Sequence, residues 1–235
     1  LSGGGIGRAL DQLEVDLTFF LHQKSRVKGL LFNRVIPEKL PTVKRYITEK
    51  VLETHYGGFP EPLKIFGFLP AMPDLPHPSM EVIRSKVHNP MVLSEVEEER
   101  WHQPCRNIRV VSLRAEHMHL DRYVSGGDLM LIGSGSNERI HKIIEYNRML
   151  TEPLGGLLLT CGEDADLDEH TMEELKASGI PTVITDDDTA TAEQRILAYF
   201  ENTKLQLYDA KKINTIREMF REHFDLDRFM EVFLG

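Results

Sequence analysis

The chain has 235 residues, of which 41% are hydrophobic and 28% are charged, as is usual for a globular protein with a sizeable core. Its net charge of −9 argues against nucleic-acid binding, which needs a basic face. No apolar run approaches the roughly 20 residues of a membrane span. No signal peptide is recognisable and the two cysteines lie far apart, so we expect a reducing, cytoplasmic setting.

The first part of the chain alternates helices with strands. Helical spacing of apolar residues predicts helices over 8–24 and 41–53, and short apolar runs predict strands over 27–36 and 63–69. This order is half of a parallel α/β sheet, so we expect partner strands upstream of residue 1. The Gly-rich run at 3–7 lacks Gly-Lys-Ser/Thr and a complete GxGxxG, and it is weak as a nucleotide motif.

Prolines mark a boundary in the middle of the chain. Eight of the twelve prolines fall between residues 59 and 104, which prevents long regular elements there. The charged run 95–100 is typical of a solvated surface. We therefore predict three segments, namely a partial domain over 1–83, a linker over 84–104 and a second domain over 105–235.

The second domain shows a regular alternation of strands and helices with short loops. This pattern predicts a small, mainly parallel, three-layer α/β sheet. The predicted strands are 107–113, 128–132, 155–161 and 180–185, and the predicted helices are 116–124, 137–150, 168–177, 189–200 and 209–223.

A Gly/Ser loop joins the strand 128–132 to the helix that follows. A strand, a small-residue loop and a helix start can hold an anion, and the same geometry turns a corner in any α/β domain. We expect Asn137 to cap the helix and the glycines to form the central turn of the sheet, while an anion at the amides of 136–138 remains open. The candidate ligand residues are Gly133, Ser134, Gly135, Ser136 and Asn137.

Three polar clusters favour structural roles over metal binding. His117, His119 and Asp121 are predicted to lie on a helix, where residues two apart face different ways. The aspartates at 164, 166 and 168 begin like a calcium loop but lack its later glycine and glutamate, so we expect Asp168 to cap a helix. The run 186–188 precedes a helix and is sufficiently explained by capping. We predict no metal site and no catalytic residue.

Two parts of the chain resemble known families, in a known order. Residues 2–83 resemble the C-terminal half of a P-loop domain of the dethiobiotin synthetase and cobyrinic acid diamide synthase type. Residues 105–232 resemble a DRTGG domain. The first resemblance is carried by SGGGIGRALDQL, KGLLFNRVI and IFGFLPAMPDLPHPSMEVI, and the second by LDRYVSGGDLMLIGSGSNERI, GLLLTCG, GIPTVITDDDTATAEQRI and FDLDRFMEVF.

The resemblance implies a nucleotide site in the first part. It matches Asn33 and Arg34 to a pair that contacts adenine, and Leu69, Pro70 and Ala71 to a loop beside it. It implies ATP with Mg²⁺ as cofactor in the intact protein, with the Walker A loop upstream of residue 1; no cofactor is evident in this chain.

The same pairing of domains forms the regulatory N-terminal portion of long phosphate acetyltransferases, and the acyl-transfer domain that would follow is absent from this sequence. The resemblance implies a homodimer through the DRTGG domain and a small anionic metabolite or nucleotide as ligand.

Three hypotheses follow from these observations. The preferred one is a regulatory, nucleotide- or ligand-sensing protein without catalysis in residues 1–235. The alternative is an ATP-dependent carboxylate-activating synthetase, which needs a complete phosphate loop. A third hypothesis makes the DRTGG part a purely structural oligomerisation module.

Overall fold

The protein is described by a computed structural model over residues 6–48, 63–162, 167–201 and 210–234. It divides into unit 1, which joins Leu1–Pro73 to Ala210–Gly235, and unit 2, which spans Asp74–Asp209. Three sequence predictions fall outside the described residues: the glycines at 3–5, the end of the helix predicted over 41–53, and the aspartates at 164 and 166.

The described elements alternate as an α/β protein should, which confirms the class predicted from the sequence. The strands are β1 (Gly29–Val35), β2 (Lys64–Pro70), β3 (Met91–Val92), β4 (Ile108–Val110), β5 (Leu129–Gly133), β6 (Gly156–Thr160) and β7 (Thr182–Ile184). The helices are α1 (Ile6–His22), α2 (Leu40–Tyr46), α3 (Met80–Arg84), α4 (Glu98–Trp101), α5 (Asn137–Met149), α6 (Glu169–Ala177), α7 (Thr189–Glu201), α8 (Ala210–His223) and α9 (Leu226–Leu234). Among the described residues no helix is long and apolar enough to cross a lipid bilayer.

In unit 1, β1 and β2 pair in parallel and share a core with α1 and α2. Phe32 of β1 stacks on Phe68 of β2 with the ring centroids 4.9 Å apart. Leu13 and Leu17 of α1 and Val43 of α2 complete the cluster, at the helical spacings read from the sequence. Each of these two helices is held against the strands because it buries one apolar stripe in this cluster.

The C-terminal helices α8 and α9 also belong to unit 1. Phe66 of β2 contacts Phe229 of α9 with the ring centroids 5.3 Å apart, and the Asp225 amide donates to the Phe66 carbonyl at 2.6 Å. Gly67 forms a bridge with Phe224, where a Cβ atom on Gly67 would lie 2.1 Å from the His223 carbonyl oxygen. The bounds of the two units thus differ from the predicted ranges 1–83 and 105–235.

Unit 2 is built on a five-stranded sheet in the order β3-β7-β6-β5-β4. The strands β4 to β7 are parallel, and β3 adds an antiparallel edge that the sequence analysis did not predict. Alternate residues of β5 enter different cores, Met130 and Ile132 beneath α5 and α6, and Leu129 and Leu131 beneath α3 and α7. Burial on both faces explains the continuous apolar run of this strand.

The predicted helix over 116–124 is wrong. The segment forms two 3-10 turns, Ala115–His117 and Leu120–Arg122, separated by extended backbone at Met118. Met118 and Leu120 are both buried, and two residues so closely spaced cannot share one face of an α-helix. Their burial in the core therefore overrides the local helical tendency.

Candidate functional site

The predicted nucleotide residues of unit 1 lie at one edge of the β1–β2 sheet. Val35 pairs with Pro70, and the Ala71 amide donates to the Val35 carbonyl at 2.7 Å. Asn33 and Arg34 immediately precede Val35, so the carboxyl ends of the two strands bring both predicted segments side by side. The set is Asn33, Arg34, Leu69, Pro70 and Ala71.

Arg34 adopts a left-handed backbone conformation. Its φ is +60°, which costs a residue with a side chain about 1–2 kcal/mol. The Asn33 Oδ1 atom accepts a hydrogen bond from the Arg34 amide at 2.9 Å and so supports this conformation. Both side chains are exposed, and within the described residues the Asn33 amide nitrogen has no hydrogen-bond acceptor. The pair leaves one amide donor and one guanidinium open to solvent.

A separate groove of about 550 Å³ also lies in unit 1. Leu40 and Lys44 of α2 line one part of it, and Phe224 and Asp225 at the junction of α8 and α9 line another. Its lining includes none of the five predicted nucleotide residues, so the groove and the predicted site are different surfaces.

In unit 2, the predicted Gly/Ser loop is attached to the end of β6. The buried Ser134 donates from its amide to the Thr160 carbonyl at 2.9 Å and from Oγ to the Cys161 carbonyl at 3.1 Å. Gly133 and Gly135 have no positive φ, and a Cβ atom on either would meet nothing within 4 Å. The turn therefore does not require these glycines, and open space lies above the loop.

The helix α5 begins differently from the sequence prediction. Ser136 is the N-cap residue and makes no side-chain capping bond, and Asn137 is the first helical residue, so the predicted Asn137 cap is wrong. The reason is that the Ile140 amide bonds to the Ser136 carbonyl, which places the helix boundary at Ser136. The first-turn amides have no acceptor inside the helix and favour an anion, whereas Glu138 in the same turn opposes one.

The three aspartates at 186–188 serve separate structural purposes. Asp188 accepts the amides of Ala190 and Thr191 at 2.9 and 3.0 Å, so the predicted capping is confirmed for this residue alone. Asp186 accepts a hydrogen bond from Asn89 Nδ2 at 2.7 Å. The hydrogen bonds from Thr191 hold the pKa of Asp188 below its usual value. Asp187 is buried and pairs with Arg195 at 3.2 Å, so the carboxylates do not converge on one ion.

Two further predictions have clear structural outcomes. Asp168 caps α6 by accepting the Thr171 amide at 2.7 Å, as the sequence predicted. His117 ends the first 3-10 turn and His119 immediately precedes the second, so these two exposed residues lie on either side of the buried Met118 and not on one α-helix.

Sequence reasoning missed a polar network around one buried carboxylate at the start of β5. The carboxylate of Asp128, which is fully buried, accepts hydrogen bonds from Asn107 Nδ2 at 2.7 Å, Arg109 Nε at 3.0 Å and the Ser125 amide at 3.1 Å. It ties β4 and the turn at Gly127, whose φ is +79°, to the amino end of the strand. The Gly-Gly-Asp run before the strand was the sequence signal that could have indicated this network. The network is structural, because ligands of α/β proteins bind at the opposite, carboxyl ends of the strands.

The sequence analysis also missed a cluster of His141, His170 and Glu174 between α5 and α6. Its members lie up to 33 residues apart along the chain, and no local pattern joins them.

The comparisons with known proteins place few constraints on this chain. No protein-family model matches it, and no curated protein matches it. Among solved structures it is similar to the CBS and DRTGG domains of the regulatory region of Clostridium perfringens pyrophosphatase, complexed with the activator diadenosine tetraphosphate. The identity is 15%, the match covers 72% of this chain and 73% of that chain, and the TM-score is 0.36. A TM-score of this size does not establish a shared fold.

Proposed function

We propose that the chain is a regulatory, ligand-sensing protein that binds a nucleotide at the carboxyl edge of β1 and β2. The observation that carries the proposal is the exposed Asn33–Arg34 pair, held in a strained conformation beside Leu69, Pro70 and Ala71. Residues in sparsely populated backbone conformations persist where the surroundings hold them and cluster at ligand sites.

The chemistry of this edge suits a purine base. An Asn amide offers one donor and one acceptor to a purine edge, and Asn33 still has its donor free among the described residues. The planar guanidinium of Arg34 can stack on a base or pair with a phosphate. Pro70 ends the neighbouring strand and provides a rigid wall, because its φ is locked.

The wider assignment is part of the same proposal. Residues 2–83 correspond to the C-terminal half of a dethiobiotin synthetase-type P-loop domain, which takes ATP with Mg²⁺ when the phosphate loop is present. Residues 105–232 correspond to a DRTGG-type domain that dimerises and takes a small anionic ligand over Gly133–Asn137. The open space above Gly133 and Gly135 and the first-turn amides of α5 support this second site. The pairing is that of the regulatory portion of phosphate acetyltransferases.

The test is calorimetric titration of the intact protein with ATP, with and without Mg²⁺, and with adenosine. Asn33→Asp keeps an oxygen to accept the Arg34 amide but loses the amide donor, so we expect at least about tenfold weaker binding, equivalent to about 1.4 kcal/mol. Adenosine carries no phosphate, so a loss of adenosine affinity does not arise from charge repulsion. Asn214→Ala, at an exposed position of α8 in the same unit, should bind as the wild type does.

Each contrary outcome has a definite meaning. Equal adenosine affinity for wild type and Asn33→Asp would remove Asn33 from the site. ADP release that depends on an added carboxylate substrate would favour the synthetase. A stable dimer that binds neither nucleotide nor acyl metabolite would favour a purely structural module.

A further inference from the structure

Two helices of unit 2 bring three metal-ligating side chains together. The helices α5 and α6 cover the same face of the sheet, where Ile144 and Leu175 enter one hydrophobic cluster. His141 lies on α5, while His170 and Glu174 lie four residues apart on α6 and so share one face of that helix. The packing of the sheet therefore fixes the separation of the three side chains.

The distances between the side chains suit a shared ion. His141 Nδ1 lies 2.5 Å from Glu174 Oε2, and the His141 and His170 rings lie 5.2 Å apart between centroids. One ligand atom from each residue falls within 4.8 Å of the other two. Ligand atoms about 2.0–2.1 Å from a tetrahedral zinc ion are about 3.3 Å apart, so small rotations of the exposed His170 and of Glu174 bring the set to that spacing.

A second interaction orients His141. Its other ring nitrogen, Nε2, lies 3.0 Å from Thr171 Oγ1. Thr171 is fully buried, and its amide donates to Asp168, so the hydroxyl group is held in place. Metal-binding imidazoles characteristically use the second ring nitrogen in such a bond, which fixes the ring and leaves the first nitrogen for the ion.

The charged groups around the cluster are mixed. Glu174 supplies one carboxylate to the cluster, and Asp168 lies at the start of the same helix. Arg148, 3.5 Å from the second oxygen of Glu174, is the local competitor for that carboxylate.

We propose that His141, His170 and Glu174 form a binding site for a divalent transition-metal ion of the Zn²⁺ type, which joins α5 to α6. Two imidazoles and one carboxylate suit zinc, cobalt or nickel, whereas calcium and magnesium take oxygen ligands. Three protein ligands leave a fourth position for water or for an anionic ligand.

The rival explanation is an ion pair between the helices. The contacts of Glu174 with His141 and Arg148 tie α5 to α6 without any metal and account for those residues. They do not involve His170, whose exposed ring contacts the His141 ring and forms no hydrogen bond or ion pair within the described residues. His170 is therefore the residue that separates the two explanations.

The experiment is calorimetric titration of the tag-free, metal-stripped full chain with Zn²⁺ and, in parallel, the visible absorption of the Co²⁺-loaded protein. We expect one equivalent of Zn²⁺ and the absorption bands of tetrahedral Co²⁺. His170→Ala should weaken Zn²⁺ binding at least about tenfold without lowering the thermal midpoint of the apoprotein, because His170 is exposed. Thr171→Val should weaken it about 10- to 100-fold through loss of the bond that orients His141.

The matched control is His117→Ala, which removes an exposed histidine of the same unit outside the cluster and should leave Zn²⁺ binding unchanged. The proposal fails if the wild type takes up no stoichiometric Zn²⁺, or if His170→Ala binds Zn²⁺ as tightly as the wild type.

Discussion

The two units differ in how the chain supplies their cores. Unit 2 comes from one continuous stretch, and its central strands β5 and β6 contribute residues with no solvent exposure. In unit 1, β1 and β2 pack against helices from both ends of the chain. Helix α1 precedes β1 and helix α2 lies between the two strands, whereas α8 and α9 follow β2 by more than 130 residues. A core made from neighbouring segments is encoded in local patterns, whereas a core made from distant segments depends on a few close contacts.

The largest difference in stability between the two units should come from disrupting the close contact at Gly67. In Gly67→Ala the added Cβ would lie 2.1 Å from the His223 carbonyl oxygen, so backbone must move, at a cost of about 3 kcal/mol. We expect part of the far-UV circular dichroism signal to unfold at lower temperature. The single tryptophan, Trp101, is buried in unit 2, so the midpoint followed by its fluorescence should stay unchanged.

Gly135→Ala is the control, because its Cβ would meet nothing within 4 Å and should change the unfolding free energy by less than about 1 kcal/mol. A shift of both signals by the same amount in Gly67→Ala would show that the two units do not unfold separately.

The next largest effect should come from the buried carboxylate of Asp128 in unit 2. Asp128→Ala removes the buried, charged acceptor of three hydrogen bonds, so we expect a loss of about 2–3 kcal/mol. Urea unfolding followed by Trp101 fluorescence measures it. Asp121→Ala, at an exposed position of the same unit, should leave the midpoint where it is; an equal loss there would mean that the Asp128 network is not responsible.

The smallest effect on stability should come from removing the helix cap at Asp188, and this effect should depend on pH. The hydrogen bonds from Thr191 lower the pKa of Asp188 in the folded state. The stabilisation of the folded protein by this cap is therefore present above the unfolded pKa of about 3.9, and it is lost as the pH falls through the folded pKa. The stability difference between wild type and Asp188→Ala should therefore be present at pH 7 and shrink below pH 4. Urea unfolding at both pH values measures it.

Asp188→Asn provides the control, because an amide also caps a helix but does not titrate. It should match the wild type near pH 7 and show no such loss at low pH. A constant difference between wild type and Asp188→Ala across the pH range would exclude the carboxylate as the cause.

The sequence predicted the local features of unit 2 well. The strands β5 and β6 and the helices α5, α6 and α7 lie within one or two residues of their predicted positions. Strands buried on both faces are continuous apolar runs, and caps such as Asp168 lie next to the helix that they stabilise. The failures in unit 2 were the 116–124 helix, the Asn137 cap and the strand β3. Strand β3 leaves little local pattern, because it has two residues and pairs antiparallel at a sheet edge.

The candidate nucleotide residues came from resemblance and remain a prediction. The order of residues did not indicate the left-handed conformation of Arg34, nor that Asn33 supports it. Both features arise where the register of β1 and β2 shifts between Phe32 and Val35, and a strand register depends on its partner strand.

The sequence by itself determined the α/β class, the parallel strands of unit 2 and the caps of α6 and α7, because these follow from periodicity and from residues a few positions apart. Only the tertiary structure decided that residues 210–234 pack on β2, that Val35 and Ala71 join the two predicted nucleotide segments, and that His141 meets His170 and Glu174. Contacts between distant segments depend on which faces the whole chain buries, and no local spacing records that choice.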